Sequence, residues 1–125
     1  MPKAKPRMNA VTELTMSDGT VLKLTLTWGL LVKLRAKNKS LYKRFSSVIT
    51  KGFVEDIVQA LEIVYAGYIC QYIDETGGID DALNEDEFQA VAPNDIYEVI
   101  QAAQELIAPK AAAASRAHSQ TAQSS

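Results

Sequence analysis

Apolar residues recur at helical spacing over 53–73, and this stretch predicts the central helix of the protein. Of the 21 residues in FVEDIVQALEIVYAGYICQYI, 15 are apolar or aromatic. Positions 57, 61, 64 and 68 form one stripe of such a helix, and positions 58, 65, 69 and 72 form a second stripe beside it. Because two apolar stripes need burial on two sides, the rest of the chain is expected to pack around this helix. Its longest uncharged run has 11 residues, whereas a membrane span needs about 20, so no membrane crossing is expected.

An alternating apolar pattern upstream, VTELTMSDGTVLKLTLT, predicts a β-hairpin that reverses at its Asp-Gly pair. A two-residue loop would place Leu14 opposite Lys23 and would bring charge into the leucine face. A three-residue loop over 17–19, with Gly19 in the left-handed conformation, places Leu14 opposite Leu22 instead. We predict the three-residue loop because the buried face fixes the register.

Two short helices are predicted after the hairpin. Thr27 can cap a helix that begins at Trp28 and ends near Asn38. Ser40 can cap a second helix, which is expected to end at Lys51-Gly52 because glycine suits the position after a helix.

The acidic segment after the central helix predicts two further helices. Asn84 and Glu87 have the spacing of a capping box and open a short helix. Pro93 interrupts the chain, and Asn94 is expected to cap the last helix. The apolar stripe of that last helix consists of Ile96, Val99, Ile100, Ala103 and Ile107.

These elements predict an α+β fold, mainly α, in which an N-terminal two-stranded β-hairpin is followed by four to five helices around the central helix 53–73. One domain is expected over 10–108, with a flexible arm at 1–9 and a disordered tail at 109–125, since neither end has enough apolar content to pack. The predicted core comprises Leu24, Leu26, Trp28, Leu31, Leu34, Phe45, Ile57, Leu61, Val64, Tyr68, Phe88, Ile96 and Ile100.

Charge is strongly segregated along the chain, although the net charge is only −2. Residues 1–52 contain eleven Lys or Arg and two acids, a balance of +9, whereas residues 53–125 contain two Lys or Arg and thirteen acids, a balance of −11. Such a distribution is typical of nucleic-acid contact through the basic half, or of pairing between unlike ends of two subunits. A solvated basic face without a partner is a third interpretation.

Few residues suited to catalysis or metal binding are present in the domain. The single histidine, His118, lies in the polar tail, and the single cysteine, Cys70, lies in the central helix, where a buried apolar role is expected. An EF-hand loop starting at Asp74 would have Glu85 at its last position but Ile79 at the position that requires glycine. We therefore expect no enzyme activity, no metal and no cofactor. The N-terminal segment lacks the apolar stretch of a signal peptide, so a cytoplasmic protein is expected.

The order of the apolar segments resembles that of the tail assembly chaperones of long-tailed, siphovirus-type bacteriophages. The resemblance spans about residues 11–107 and rests on LKLTLTWGLLVKL after the hairpin turn, LEIVYAGYIC in the central helix, LNEDEF in the short acidic helix and IYEVIQAAQELI in the last helix. In that family a β-hairpin is followed by helices. The resemblance implies a non-enzymatic chaperone that coats the tape-measure protein, recruits tail-tube subunits and acts in the cytoplasm of a bacterial host cell.

A chaperone of this kind is expected to self-associate as a homo-oligomer and to expose apolar surface to its client. Head-to-tail contacts between unlike surfaces generate open assemblies, and the segregated charge provides two such surfaces. The basic surface is expected at Arg35, Lys39, Lys43 and Arg44, and the acidic surface of the neighbour at Asp80, Asp81, Glu85, Asp86 and Glu87. The candidate client-binding residues are Tyr65, Tyr72 and Tyr97, because tyrosine is favoured at interfaces.

The alternative is a small nucleic-acid-binding protein that uses the basic segment 33–51, in which Tyr42 and Phe45 lie among the cations. The excess of acid in the second half disfavours this function because it repels phosphate.

Overall fold

The computed structural model of the chain describes residues 11–51 and 56–108. The arm predicted at 1–9, the tail predicted at 109–125 and the helix end predicted at Gly52 lie outside these ranges.

Within the described residues, a two-stranded antiparallel hairpin is followed by five helices, which confirms the predicted α+β, mainly α fold. The strands are β1 (Thr12–Thr15) and β2 (Val21–Leu24). The helices are α1 (Trp28–Lys37), α2 (Lys39–Lys51), α3 (Ile57–Thr76), α4 (Glu85–Val91) and α5 (96–108). Both α1 and α2 pack on α3, as do β2 and α4, so the predicted central helix is the central helix of the fold.

The hairpin has the predicted three-residue loop and the predicted register. Leu14 pairs with Leu22 across the strands. The Met16 N–H donates to the Thr20 carbonyl at 2.7 Å, which leaves 17–19 as the loop. Gly19 has a φ of 89°, the left-handed conformation that glycine adopts without a steric penalty.

The central helix begins and ends later than predicted. Asp56 has extended backbone, with φ −112° and ψ 131°, and its carboxylate accepts a hydrogen bond from the Val58 N–H at 2.7 Å. The helix therefore starts at Ile57, and its predicted start at Phe53 is wrong because Asp56 is the N-cap. At the other end α3 continues to Thr76, where Gly77 closes it with a φ of 85°.

Burial around α3 is complete over its middle two turns. All eight residues of 63–70 are buried, which covers every side of the helix and includes Cys70, as predicted. The second predicted apolar stripe is not buried at its N-terminal end, where Val58 is 61% exposed. The first turn of α3 thus exposes Val58, while Ala60 in the same turn is fully buried.

The helix caps agree with the sequence at two of four positions. The Thr27 hydroxyl accepts from the Leu30 N–H at 3.1 Å, and Asn84 and Glu87 form the predicted capping box. Ser40 is not a cap, because the side chain of Asn38 accepts from the Leu41 N–H and starts α2 at Lys39.

Asn94 is not the cap of α5 either. The carboxylate of Asp95 accepts from the Tyr97 N–H at 2.9 Å, so the helix begins one residue later than Asn94 would allow. Asn, Asp and Ser have similar N-cap preferences, and a neighbouring residue of the same class fills the role in both cases.

The predicted core is confirmed for nine of its thirteen residues. Ile57 and Leu61 are only partly buried, and both pack against the rim of the core. Trp28 and Ile96 are 65% and 43% exposed, so their assignment to the core is wrong. Each is the first residue of its helix, where a side chain extends beyond the elements that the rest of the helix packs on.

None of the helices in the described part of the chain combines the length and the apolarity that crossing a lipid bilayer requires.

Candidate protein-binding site

An apolar groove lies between α1 and α2 on the surface of the domain, with a volume of about 190 Å³. One wall comes from α1 residues spaced at i, i+4 and i+7, and the other from α2 residues with the same spacing. Two buried side chains, Leu31 and Phe45, form the floor. The wall residues are Trp28, Val32 and Arg35 on α1 and Tyr42, Ser46 and Ile49 on α2.

The groove exposes large apolar side chains that the core does not use. Trp28 is 65% exposed and Val32 is 59% exposed, one helical turn apart on the same wall. Large apolar side chains grouped at a surface indicate an interaction site, whereas scattered ones do not. A hydrophobic groove is typical of sites that receive the apolar face of an amphipathic helix.

Positive charge surrounds the groove. The Arg35 guanidinium lies over the Tyr42 ring, with its central carbon 5.9 Å from the ring centroid, which brings a cation onto an aromatic wall. Lys39 and Lys43 are exposed and lie one turn before Tyr42 and Ser46 on α2. Residues 19–51 contain no Asp or Glu, so no acid of these two helices offsets the cations.

Of the residues predicted for self-association, two are paired with each other within the chain and the rest are exposed. Arg44 and Glu85 are joined to each other within the chain, by two hydrogen bonds of 2.6 and 2.9 Å that link α2 to α4. Glu62 of α3 lies 3.6 Å from the same guanidinium. The other predicted residues are exposed: Arg35, Lys39, Lys43, Asp80, Asp81, Asp86 and Glu87.

Loss of the Arg44 pair is expected to destabilise the domain. Replacing Arg44 by methionine leaves Glu85 without its two hydrogen bonds, and we expect the free energy of unfolding to fall by about 1 kcal/mol, since the pair is about one-third exposed and partly screened. The matched control is Lys43→Met on the preceding, exposed residue, with an expected change of less than about 0.5 kcal/mol. Urea denaturation of both variants makes the comparison, and equal losses would show that the Arg44–Glu85 pair does not stabilise the fold.

The three predicted client-binding tyrosines occupy three different environments. Tyr65 is buried at 6% exposure and its ring packs against Phe88, so the candidate surface does not include it. Tyr72 is half-buried beside β2, where it lines a separate pocket of about 340 Å³ with Val21. Tyr97 is 76% exposed at the start of α5.

Tyr65 and Tyr68 both hydrogen-bond to the backbone of Leu83, which lies in the connector between α3 and α4. The Tyr65 hydroxyl donates to the Leu83 carbonyl at 2.8 Å, and the Leu83 N–H donates to the Tyr68 hydroxyl at 2.9 Å. Burial, together with the charge of Glu85, raises the pKa of Tyr65 to about 12, and burial also raises the pKa of Tyr68.

These pKa values predict a loss of stability in alkali. An unfolded tyrosine ionises near pH 10, whereas folded Tyr65 keeps its proton to about pH 12. The stabilisation is therefore complete below pH 10 and is lost as the pH rises toward 12, by up to about 1.4 kcal/mol per pH unit for this group. Unfolding measured across this range should show the decline, and Tyr65→Phe should reduce its slope. A slope that Tyr65→Phe leaves unchanged would contradict the assignment.

A second exposed apolar feature lies at the start of α5, and we call residues 95–98 the α5 corner. Ile96 is 43% exposed and Tyr97 is 76% exposed. Asp95 precedes this pair and Glu98 follows it, both exposed. Residues 56–108 contain no Lys or Arg, so no cation lies close to the α5 corner along the sequence.

Sequence reasoning missed the groove because it assigned Trp28 to the core. A signal was present, since Trp28, Val32 and Arg35 share one side of α1 whereas Leu30, Leu31 and Leu34 share another. Two apolar sides on a ten-residue helix indicate contacts on two sides. The fold packs α1 on both α2 and α3, and Trp28 and Val32 are still largely exposed.

Comparison with protein-family models, with curated proteins and with solved structures finds no match to this chain. Among the described residues, no three His, Cys, Asp or Glu side chains lie together in a group that could hold a metal ion.

Proposed function

We propose that this protein is a tail assembly chaperone of a long-tailed bacteriophage, a non-enzymatic protein that binds the tape-measure protein and recruits tail-tube subunits in the cytoplasm of the host cell. The observation that supports the proposal is the exposed α1–α2 groove, which offers two parallel rows of side chains to a helical client. The order of hairpin and helices agrees with the family that the sequence resembles.

The groove can bind a client helix without a rearrangement of its own walls. Its walls belong to helices whose other sides are buried against the core, through Leu34 on α1 and Leu41 on α2, both fully buried. Because the walls are held in place before binding, little ordering entropy opposes the contact. A client helix with apolar residues at i, i+4 and i+7 would place them between the α1 wall, which includes Trp28, and the α2 wall, which includes Ile49.

Co-purification with a tape-measure protein of the same phage tests this function. Val32→Asp puts a charge in the groove wall and is expected to weaken tape-measure binding tenfold or more, since buried apolar anchors carry most of the affinity of such contacts. Val32 is 59% exposed, so the substitution leaves the core intact.

Val58→Asp is the matched control, because Val58 is also a helical valine, is 61% exposed and lies outside the groove. Binding should be unchanged in this variant. Equal binding by both variants, or no binding by the wild type, would contradict the proposal.

Nucleic-acid binding is the second candidate function, since six of the seven cations in 33–51 are exposed. Titration with duplex and single-stranded DNA and RNA at rising salt tests it. Micromolar affinity with a steep salt dependence would favour this function over the chaperone.

A further inference from the structure

We infer that the α1–α2 groove of one copy receives the α5 corner of a second copy. This inference deepens the proposed function, because it identifies what covers the client site when no client is bound.

The apolar parts of the two surfaces complement each other. The groove is concave and exposes Trp28 and Val32, whereas the corner exposes Ile96 and Tyr97 at the end of a helix. Among the described residues, these two sites are where large exposed apolar side chains occur close together on one helix. Docking one onto the other removes both from water, which is favourable by about 25 cal/mol for each Å² of apolar surface buried.

The charges of the two surfaces are opposite. Arg35 lies in the groove wall with Lys39 and Lys43 nearby on α2, while Asp95 and Glu98 flank the exposed pair of the corner. Residues 19–51 contain no Asp or Glu, and residues 56–108 contain no Lys or Arg. The segment that forms the groove therefore has no acid to repel the corner, and the segment that forms the corner has no cation to repel the groove. Complementary rims of this kind increase the association rate and select the orientation.

The docked corner is assigned to a second copy because large side chains of both surfaces are exposed in the same folded molecule. Trp28 is 65% exposed and Tyr97 is 76% exposed in the same molecule. Both lie on helices whose opposite sides are buried in the core, through Leu34 on α1 and Val99 on α5. One chain therefore cannot close this contact on itself without unpacking a helix.

The contact uses the groove of one copy and the α5 corner of the other. The first copy therefore keeps an unused corner, and the second keeps an unused groove. Such heterologous contacts extend into open chains or rings. In this contact the acidic partner is the α5 corner, and of the acidic residues predicted for self-association only Glu85 is contacted by Arg44 of its own chain. A client helix that needs the groove must displace the corner, so self-association and client binding compete.

Trp28 reports this contact directly because it is the single tryptophan in the chain. As the concentration of the purified protein rises, we expect its emission to shift to the blue while sedimentation shows association. Tyr97→Ser should weaken association about tenfold, and Val58→Ser, at an exposed valine outside both surfaces, should leave it unchanged. Association that is the same with Tyr97→Ser, or a monomer at every concentration, overturns the inference.

A charge exchange tests the orientation. Arg35→Glu and Glu98→Lys should each weaken association, and the double variant should recover most of the loss because the pair is restored with its signs reversed. Additive losses in the double variant would mean that these two residues do not face each other.

Addition of the tape-measure protein separates this inference from the proposed function. Displacement of the second copy by the client supports both. A client that binds without reducing self-association overturns the competition while leaving the chaperone function in place. Self-association that needs Tyr97, in a protein that binds no tape-measure protein, supports the contact between copies and contradicts the function.

Discussion

Replacing Phe88 by alanine is expected to lower the free energy of unfolding by about 3–5 kcal/mol, the range found when a large aromatic side chain is removed from a core. Phe88 is fully buried on α4. Its ring meets Tyr65 edge to face at 5.3 Å between centroids and lies 5.5 Å from the Tyr68 ring. Since the hydroxyls of these two tyrosines hold Leu83, a cavity at Phe88 should also loosen the connector between α3 and α4.

The next residue provides the control for this prediction. Gln89 is exposed on the same helix, and Gln89→Ala should change stability by less than about 0.5 kcal/mol. Thermal and urea unfolding of the two variants give the energies, and hydrogen exchange over 77–91 gives the local effect. A loss below about 1 kcal/mol for Phe88→Ala would mean that α4 contributes little to the core.

Replacing Gly67 by valine is expected to cost about 3 kcal/mol, the upper end of the usual range for overpacking a core, because the hairpin and α5 both approach α3 at this residue. A Cβ at Gly67 would lie 2.8 Å from Leu106 Cδ1 and 3.2 Å from Leu24 Cβ. The Leu106 side chain is buried and Leu24 Cβ is fixed by its strand, so added atoms force the elements apart. The Thr25 N–H donates to the Gly67 carbonyl at 3.2 Å, a contact that such a separation would lengthen.

The same substitution at Gly29 is the matched control. A Cβ at Gly29 would meet nothing within 4 Å, and this glycine is also helical and is exposed. Valine has a higher helix propensity than glycine, so Gly29→Val should be neutral or slightly stabilising. Chemical denaturation should therefore give effects of clearly different size at the two glycines, and similar effects would contradict the close packing at Gly67.

The hairpin and the order of helices could be predicted because local sequence determines them. Only one register places Leu14 opposite Leu22, and Gly19 is suited to the left-handed loop position that this register requires. The capping box at Asn84 is equally local, since the side chains and backbone N–H groups of two residues three positions apart suffice to form it.

The helix starts at Ser40 and Asn94 were predicted wrongly because a neighbouring residue of the same capping class was available. Asn38 and Asp95 fill these roles, one or two residues away from the predicted caps, and residues of the same class have similar preferences for that position. Spacing along the chain does not contain that information.

The groove was not predicted because the sequence shows two apolar sides on α1 but not which of them meets α3. Leu34 and Trp28 belong to different sides of this helix, and both sides contain apolar residues. The fold buries Leu34 completely and leaves Trp28 at the surface. The pairing of Arg44 with Glu85 was hidden for the same reason, since 41 residues separate two side chains that tertiary packing brings together.

Titration of dilute protein with the tape-measure protein, followed by the emission of Trp28, tests the central claim most directly. If the α1–α2 groove is the client site, the emission shifts to the blue with saturation, equally in the Val58→Asp control and much less in Val32→Asp. A complex that forms by sedimentation while Trp28 emission stays unchanged would show that the client binds elsewhere and would contradict the account.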